Sequence, residues 1–167
     1  MINLAKTEMT EQLEKAIWEE TNKQSVYCCF EVTIGFHGTE RVDYMTFDIK
    51  GVWRCYEIKA SKADFHSKAS HTFVGNYNYY VLTQELYEQI KHEIPNHIGI
   101  YVRGTLVKNP KKQELAISEQ MLKNSLIRSL AREAEKLYKS EKYDQIRSLK
   151  GQLTRAKNKL KLVSQNI

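Results

Sequence analysis

Three segments rich in β-branched and aromatic residues follow one another closely along the chain. They span residues 25–36, 41–47 and 52–61, and are separated by short turns that contain Gly38 and Gly51. Connections this short join antiparallel neighbours, because parallel strands need a crossover of a dozen or more residues. The sequence therefore predicts a three-stranded antiparallel meander.

The segments around this meander predict an α/β fold. Residues 8–20 carry apolar side chains at helical spacing and precede the first strand. Downstream, the patterns predict a helix at 62–70, a strand at 76–83, a helix at 84–93, and a strand with its return strand at 97–108. The predicted order is helix, three strands, helix, strand, helix, strand, followed by a helical C-terminal extension.

The C-terminal third of the chain predicts two helices. Residues 112–167 contain no Pro and one Gly, and the break between the helices is expected at 139–142. The second helix has an apolar seam that steps by three and four residues, formed by Ile146, Leu149, Leu153, Ala156, Leu160 and Val163. A seam under three heptads long favours a helical hairpin packed on the core, with a homodimer through these helices as the alternative. We therefore expect a core at 1–110 and an extension at 111–167.

The positive charge is concentrated in this extension. The chain has a net charge of +6, and residues 115–167 carry 12 Lys and Arg against 5 Asp and Glu. Residues 1–114 are nearly neutral, with 14 against 15. A basic segment suits a polyanion such as DNA, because neutralised phosphates release condensed counterions. A solvated helical face explains the charge equally well.

Composition excludes several other classes of protein. The 167 residues are 41% hydrophobic and 28% charged, which suits one ordinary globular core. No apolar run approaches the roughly 18 residues of a membrane span, and the first residues do not resemble a secretion signal. The three cysteines lack the C-x-x-C spacing of zinc and redox sites. We expect a soluble cytoplasmic protein with reduced thiols and no membrane partner.

The candidate catalytic residues are one acid and a three-residue segment that contains an acid and a lysine. Asp43 lies in the second predicted strand, and Glu57, Ile58 and Lys59 lie in the third. Side chains alternate between the faces of a strand, so Glu57 and Lys59 point to one face while Ile58 points into the core. The alternative is an ordinary strand with an exposed Glu-Lys pair.

These residue types suit phosphodiester hydrolysis. The carboxylates of Asp43 and Glu57 and the backbone carbonyl of Ile58 form a partial ligand shell for Mg²⁺, for which Mn²⁺ can substitute. Lys59 would orient or deprotonate the attacking water and help to neutralise the transition state. We therefore predict a metal-dependent nuclease.

Several segments together carry a family resemblance. They are RVD at 41–43, YEIKAS at 56–61, ADF at 63–65, YYVL at 79–82, and Ile94-Pro95 followed by the strand at 97–102. In this order they resemble the PD-(D/E)xK nuclease superfamily, and more narrowly the MmcB-type DNA-repair proteins and related phage proteins. The resemblance covers residues 10–105, and Val42 stands in place of the superfamily's Pro.

The resemblance implies a restriction-endonuclease-like core in which Asp43 and Glu57 bind metal and Lys59 is catalytic. It also implies DNA as substrate, in repair, recombination or phage DNA processing. Glu31 is either a further ligand or a partly exposed strand residue, and the first helix offers Glu14 or Glu11. Lys68 either contacts phosphate or pairs with the Asp64 carboxylate four residues earlier.

A second function from a different class fits the same sequence. The basic extension would let a non-catalytic DNA-binding or assembly protein retain the nuclease fold without turnover. No residue distinguishes DNA from RNA, or single-stranded from branched substrates.

Overall fold

The computed structural model describes residues 7–67 and 71–164, with the side chains of 141–143 and 159–164 left out. Over these residues the chain forms an α/β structure with a six-stranded mixed sheet. The elements in order are α1 (Glu8–Thr21), β1 (Val26–Thr33), β2 (Arg41–Asp48), β3 (Trp53–Lys59), α2 (Lys62–Phe65), β4 (Tyr77–Leu82), α3 (Gln84–Ile90), β5 (Gly99–Val102), β6 (Thr105–Lys108), α4 (Glu119–Lys139) and α5 (Glu141–Ser164).

The strands lie in the sheet in the order in which they occur in the chain. The first three form the predicted antiparallel meander, β4 and β5 pair parallel to their preceding neighbours, and β6 returns antiparallel to β5. The two parallel steps are crossovers that contain α2 and α3. The predicted element order is confirmed, although α2 ends at Phe65 and residues 68–70 lie outside the described part of the chain.

α1 covers one face of the meander. Leu13 and Ile17, four residues apart on the helix, are buried in a cluster with Tyr56 and Ile58 of β3. Cys55 and Trp53 alternate with these strand residues and belong to a separate cluster on the other face. Strand β3 is therefore covered on both sides, which places its polar residues inside the protein.

The segment after β6 and the start of α4 pack on the face of the sheet that carries Trp53 and Cys55. Leu122 and Leu126 of α4 are buried in the cluster of Trp53 and Cys55. Before the helix, the backbone N–H of Gln113 donates to a carbonyl of the segment preceding β4. The chain accordingly divides into compact units at 1–129 and 130–167. The boundary expected at 110/111 differs from this division because the start of α4 supplies core side chains.

This packing predicts different outcomes for two truncations. A chain ending at Ser129 is expected to keep the cooperative unfolding of the first unit. A chain ending at Pro110 loses Leu122 and Leu126, and each buried Leu lost costs about 2–5 kcal/mol. Urea unfolding followed by circular dichroism measures both, and equal midpoints for the two truncated chains would contradict the assignment of the α4 start to the core.

The second unit consists of the rest of α4 and of α5. The helices break at Ser140, within the predicted interval. Of the predicted apolar seam, Ile146, Leu149 and Leu153 are exposed, and the side chains of Leu160 and Val163 lie outside the described part of the structure. Dimerisation through this seam stays a prediction. None of the helices described here is both long and apolar enough to cross a membrane.

Candidate active site

The register of the meander brings the predicted acids together. Tyr44 pairs with Tyr56 in the antiparallel β2–β3 ladder, so the next position places Asp43 opposite Glu57. The Oδ2 atom of Asp43 accepts a hydrogen bond from the backbone N–H of Ile58 at 2.9 Å. The Asp43 carboxylate is thereby fixed against the motif on β3.

Glu57 and Lys59 lie buried on the same side of β3. Their exposed fractions are 2% and 5%, and their carboxylate Oε2 and ammonium Nζ atoms are 3.9 Å apart. The second carboxylate oxygen of Glu57 accepts from the backbone N–H of Thr72 at 3.3 Å. The sequence also allowed an ordinary strand with an exposed Glu-Lys pair. The structure buries both side chains instead, because β3 is an interior strand covered on both faces.

Burial is the main cause of an unusual pKa at Glu57. Desolvation, followed by the nearby charge of Asp43, raises the pKa of the Glu57 carboxyl to about 8, against the opposing charge of Lys59. The Lys59 ammonium therefore does not offset the cost of ionising the buried Glu57 carboxyl beside Asp43. A divalent cation would stabilise the ionised form of Glu57, and the donor atoms present are oxygens, which Mg²⁺ prefers.

A second carboxylate also holds the Lys59 ammonium. Asp64 on α2 has its Oδ1 atom 3.7 Å from the Lys59 Nζ, while its Oδ2 atom accepts from the backbone N–H of Ala60 at 3.4 Å. Ser61 caps this short helix by accepting from the Asp64 N–H, which positions the acid. The Asp64 carboxylate thus faces the site, and the predicted partner Lys68 lies outside the described residues.

Asp43, Glu57 and Lys59 line a cleft of about 360 Å³. It is lined by Thr33, Gly38, Thr39, Glu40, Arg41, Asp43, Glu57 and Lys59. The wall formed by the β1–β2 loop was not singled out in the sequence. The only sequence signal for this wall was proximity along the chain, because Glu40 immediately precedes β2, the strand that carries Asp43.

The other predicted acids do not line this cleft. The β1–β2 register places Glu31 opposite Asp43, where the ladder is irregular and Glu31 has a positive φ of 53°. Its side chain is half-buried, outside the cleft lining. Glu11 and Glu14 lie on α1, which packs against the Ile58 side of β3, and neither of these described residues lines the cleft.

Gly38 shapes the loop wall by its lack of a side chain. A Cβ atom there would collide with the backbone carbonyl of Ile34. We expect Gly38→Ala to destabilise the protein by about 1–3 kcal/mol in urea unfolding, because backbone must move to accept the methyl group. Gly151→Ala in α5 is the control, since a Cβ there meets only the flexible Arg155 side chain and removing a helical glycine favours the helix. Equal destabilisation by both changes would contradict the steric argument.

No group of three or more His, Cys, Asp and Glu side chains is arranged to hold a metal ion among the residues that the structure describes. A cation at this site would therefore have two carboxylate ligands, from Asp43 and Glu57. Its remaining ligands would be the Ile58 carbonyl, water and substrate oxygens. This ligand set is typical of Mg²⁺, which usually keeps several waters, and it excludes a dedicated protein cage.

Comparisons with known proteins bear on the fold alone. No protein family and no curated protein matches the chain in sequence. Among solved structures, the chain is similar to the SPO1766 protein of unknown function from Silicibacter pomeroyi, with a TM-score of 0.61 and 17% identity. The match covers 78% of this chain and 90% of that one. The α/β architecture therefore occurs in a known structure.

Proposed function

We propose that the protein is a Mg²⁺-dependent nuclease that hydrolyses DNA phosphodiester bonds, with a restriction-endonuclease-like core of the PD-(D/E)xK type. The observation that carries this proposal is the group formed by the buried Glu57 and Lys59 and the half-buried Asp43, which all line one cleft. Burying an acid and an amine on one strand is unfavourable unless a partner or a reaction requires them. Two carboxylates beside one ammonium provide both metal ligands and a cation for a phosphoryl group.

Asp43 and Glu57 are the residues that would hold the metal, together with the Ile58 carbonyl. Asp43 is already oriented by the Ile58 N–H, and Glu57 is oriented by the Thr72 N–H. Mg²⁺ at this position would act as a Lewis acid toward the phosphoryl oxygen. Mn²⁺ has similar oxygen preferences and should support the same reaction.

Of the described residues that line the cleft, Lys59 and Arg41 carry a positive charge. The Lys59 ammonium is held between the carboxylates of Glu57 and Asp64, so it can orient the attacking water and stabilise negative charge at phosphorus without a large rearrangement. The Arg41 side chain is exposed in the cleft wall, where it can bind a neighbouring phosphate.

A cleavage assay tests this proposal. The full chain is incubated with supercoiled, linear, single-stranded and branched DNA, and with RNA, in Mg²⁺, Mn²⁺ or EDTA. We expect metal-dependent cleavage of at least one DNA substrate, and its loss in Glu57→Ala. Glu85→Gln is the control, because its exposed carboxylate pairs with Arg103 at the surface and does not line the cleft described above. Folded protein that cleaves none of these substrates would contradict the catalytic proposal, and cleavage of RNA alone would contradict the choice of DNA.

A non-catalytic DNA-binding or assembly protein is the second candidate. The observation that favours it is the positive charge of residues 115–167, with 12 Lys and Arg against 5 Asp and Glu, together with the exposed cations along α5. This candidate predicts DNA binding with a steep salt dependence and no cleavage in any metal. Calorimetric titration with Mg²⁺ separates the two, because the nuclease proposal requires metal binding that Glu57→Ala abolishes.

A further inference from the structure

The β1–β2 loop, residues 34–40, displays an aromatic side chain beside the cleft. Phe36 is 79% exposed, a larger exposed fraction than that of the other large hydrophobic residues for which the structure gives one. Residues 38–40 of the same loop line the catalytic cleft. A single exposed apolar side chain is common on protein surfaces, but Phe36 lies two residues from the cleft wall and lines one groove together with Met121, which is 44% exposed.

The loop is anchored to α4. The Arg128 guanidinium donates to the backbone carbonyls of Thr33 at 2.8 Å and Gly35 at 2.6 Å. The Ser125 hydroxyl accepts from the Gly35 N–H at 3.1 Å. Gly35, the residue before Phe36, therefore forms two hydrogen bonds with this helix, and Thr33 forms a third, which fixes the point from which the ring projects.

The surroundings of the ring suit a flat, polar-edged ligand. The Arg128 guanidinium lies 5.3 Å from the centroid of the Phe36 ring. Next to the ring is a mainly apolar groove of about 210 Å³, lined by Gly35, Phe36, Ser118, Gln120, Met121, Asn124, Ser125 and Arg128. The Gln120 and Asn124 amides are hydrogen-bonded to each other at 3.0 Å and keep further donors and acceptors.

We propose that an unpaired base of the substrate stacks on Phe36 in this groove, so that the substrate is a nucleic acid with a single-stranded segment next to the cleaved bond. This inference rests on the proposed nuclease function and specifies its substrate class. Bases stack on aromatic side chains regardless of sequence, and a base inside a duplex does not offer its face. The amides of Gln120 and Asn124 are groups that bind base edges.

A protein partner is the other occupant that an exposed Phe could have. The unpaired base is favoured by three features: the groove shares its loop with the catalytic cleft, a guanidinium lies beside the ring, and two amides line the groove. Arginine contributes to single-strand binding both by its charge and by stacking. An apolar protein surface would leave these polar groups without partners.

Nucleic-acid binding by the full chain in EDTA tests the inference without cleavage. The probes are a single-stranded oligonucleotide and a blunt duplex of the same sequence. We expect Phe36→Ala to weaken single-strand binding about 5- to 150-fold, from about 1–3 kcal/mol of stacking per base, and to leave duplex binding unchanged. Phe36→Trp should retain binding. Tyr27→Ala is the control, since that exposed ring lies at the opposite end of β1.

Photo-crosslinking of a 5-iodouracil-substituted strand gives an independent readout. We expect a crosslink at Phe36, identified by mass spectrometry, from the single strand and not from the duplex. Undiminished single-strand binding by Phe36→Ala, or an equal loss with both probes, would overturn the stacking inference while leaving the nuclease proposal intact. A wild-type chain that binds neither probe would also overturn the stacking inference and would make a protein partner the better explanation for Phe36, while the cleavage assay in Mg²⁺ or Mn²⁺ decides the nuclease proposal separately.

Discussion

Lys59→Met is expected to reduce DNA cleavage by about 10²- to 10³-fold, the usual cost of removing one preorganised group that stabilises transition-state charge. Methionine has a similar length and no charge, so it fits the buried position of the Lys59 side chain. The Asp43 and Glu57 carboxylates remain, and metal binding should persist. Single-turnover cleavage at saturating Mg²⁺ measures the effect on the chemical step.

The same substitution has a second consequence that distinguishes catalysis from misfolding. The Lys59 charge lowers the pKa of Glu57, so its removal should move metal binding to higher pH. Lys91→Met is the control, because that Lys pairs with Glu88 on the protein surface. Cleavage by Lys59→Met at the wild-type rate would contradict the catalytic role of this ammonium.

Metal affinity is expected to fall about tenfold for each pH unit below 8. The pKa of the Glu57 carboxyl is raised to about 8, so at lower pH the carboxyl holds a proton that the metal must displace. Affinity should therefore decrease about 50-fold between pH 8, where the carboxyl is half protonated, and pH 6, and level off above about pH 9. Calorimetry in two buffers with different ionisation enthalpies should show release of nearly one proton per metal at pH 6.

Without metal, the same carboxyl makes stability depend on pH. The pKa of Glu57 is higher in the folded chain than its ordinary value of 4.5, so the folded state binds more protons over the interval between. Stability from this group is complete below about pH 4.5 and is lost as the pH rises through about 8. We expect Glu57→Gln to be about 1–3 kcal/mol more stable than wild type at pH 8.5 in EDTA, since it removes a buried charge.

Urea unfolding in EDTA at pH 6 and pH 8.5 measures this difference. Glu40→Gln is the matched control, because the Glu40 carboxylate lines the same cleft but is exposed to solvent. A Glu57→Gln variant that is equally destabilised at both pH values would show that the Glu57 carboxyl is not a source of buried charge.

Much of the fold could be predicted because its signals are local. The short turns predicted that β1, β2 and β3 pair antiparallel in chain order. The local composition predicted the break between the two C-terminal helices near Ser140. The extent of the first unit was not predictable in the same way. Its last helix completes the core through Leu122 and Leu126, contacts formed with strands about 70 residues earlier in the chain, and periodicity alone does not show which face a helix covers.

The geometry of the candidate site could be predicted in part. Alternation along β3 correctly placed Glu57 and Lys59 on one side and Ile58 in the core. Their burial was not predicted, since an alternating strand is compatible with an exposed face. The contact of Asp64 with Lys59 depends on the turn at Ser61 that starts α2, and such a contact across a strand-helix junction leaves no periodic signal.

The hydrogen bonds from α4 to the β1–β2 loop have a consequence for the timing of folding during synthesis. Arg128 and Ser125 hold Thr33 and Gly35 across separations of 90 to 95 residues. At about 5–20 residues per second, the ribosome makes the anchoring helix roughly 5–20 seconds after the loop. The nascent chain therefore carries Asp43, Glu57 and Lys59 before the cleft wall is fixed, and a complete site forms only after residue 128 has left the ribosome.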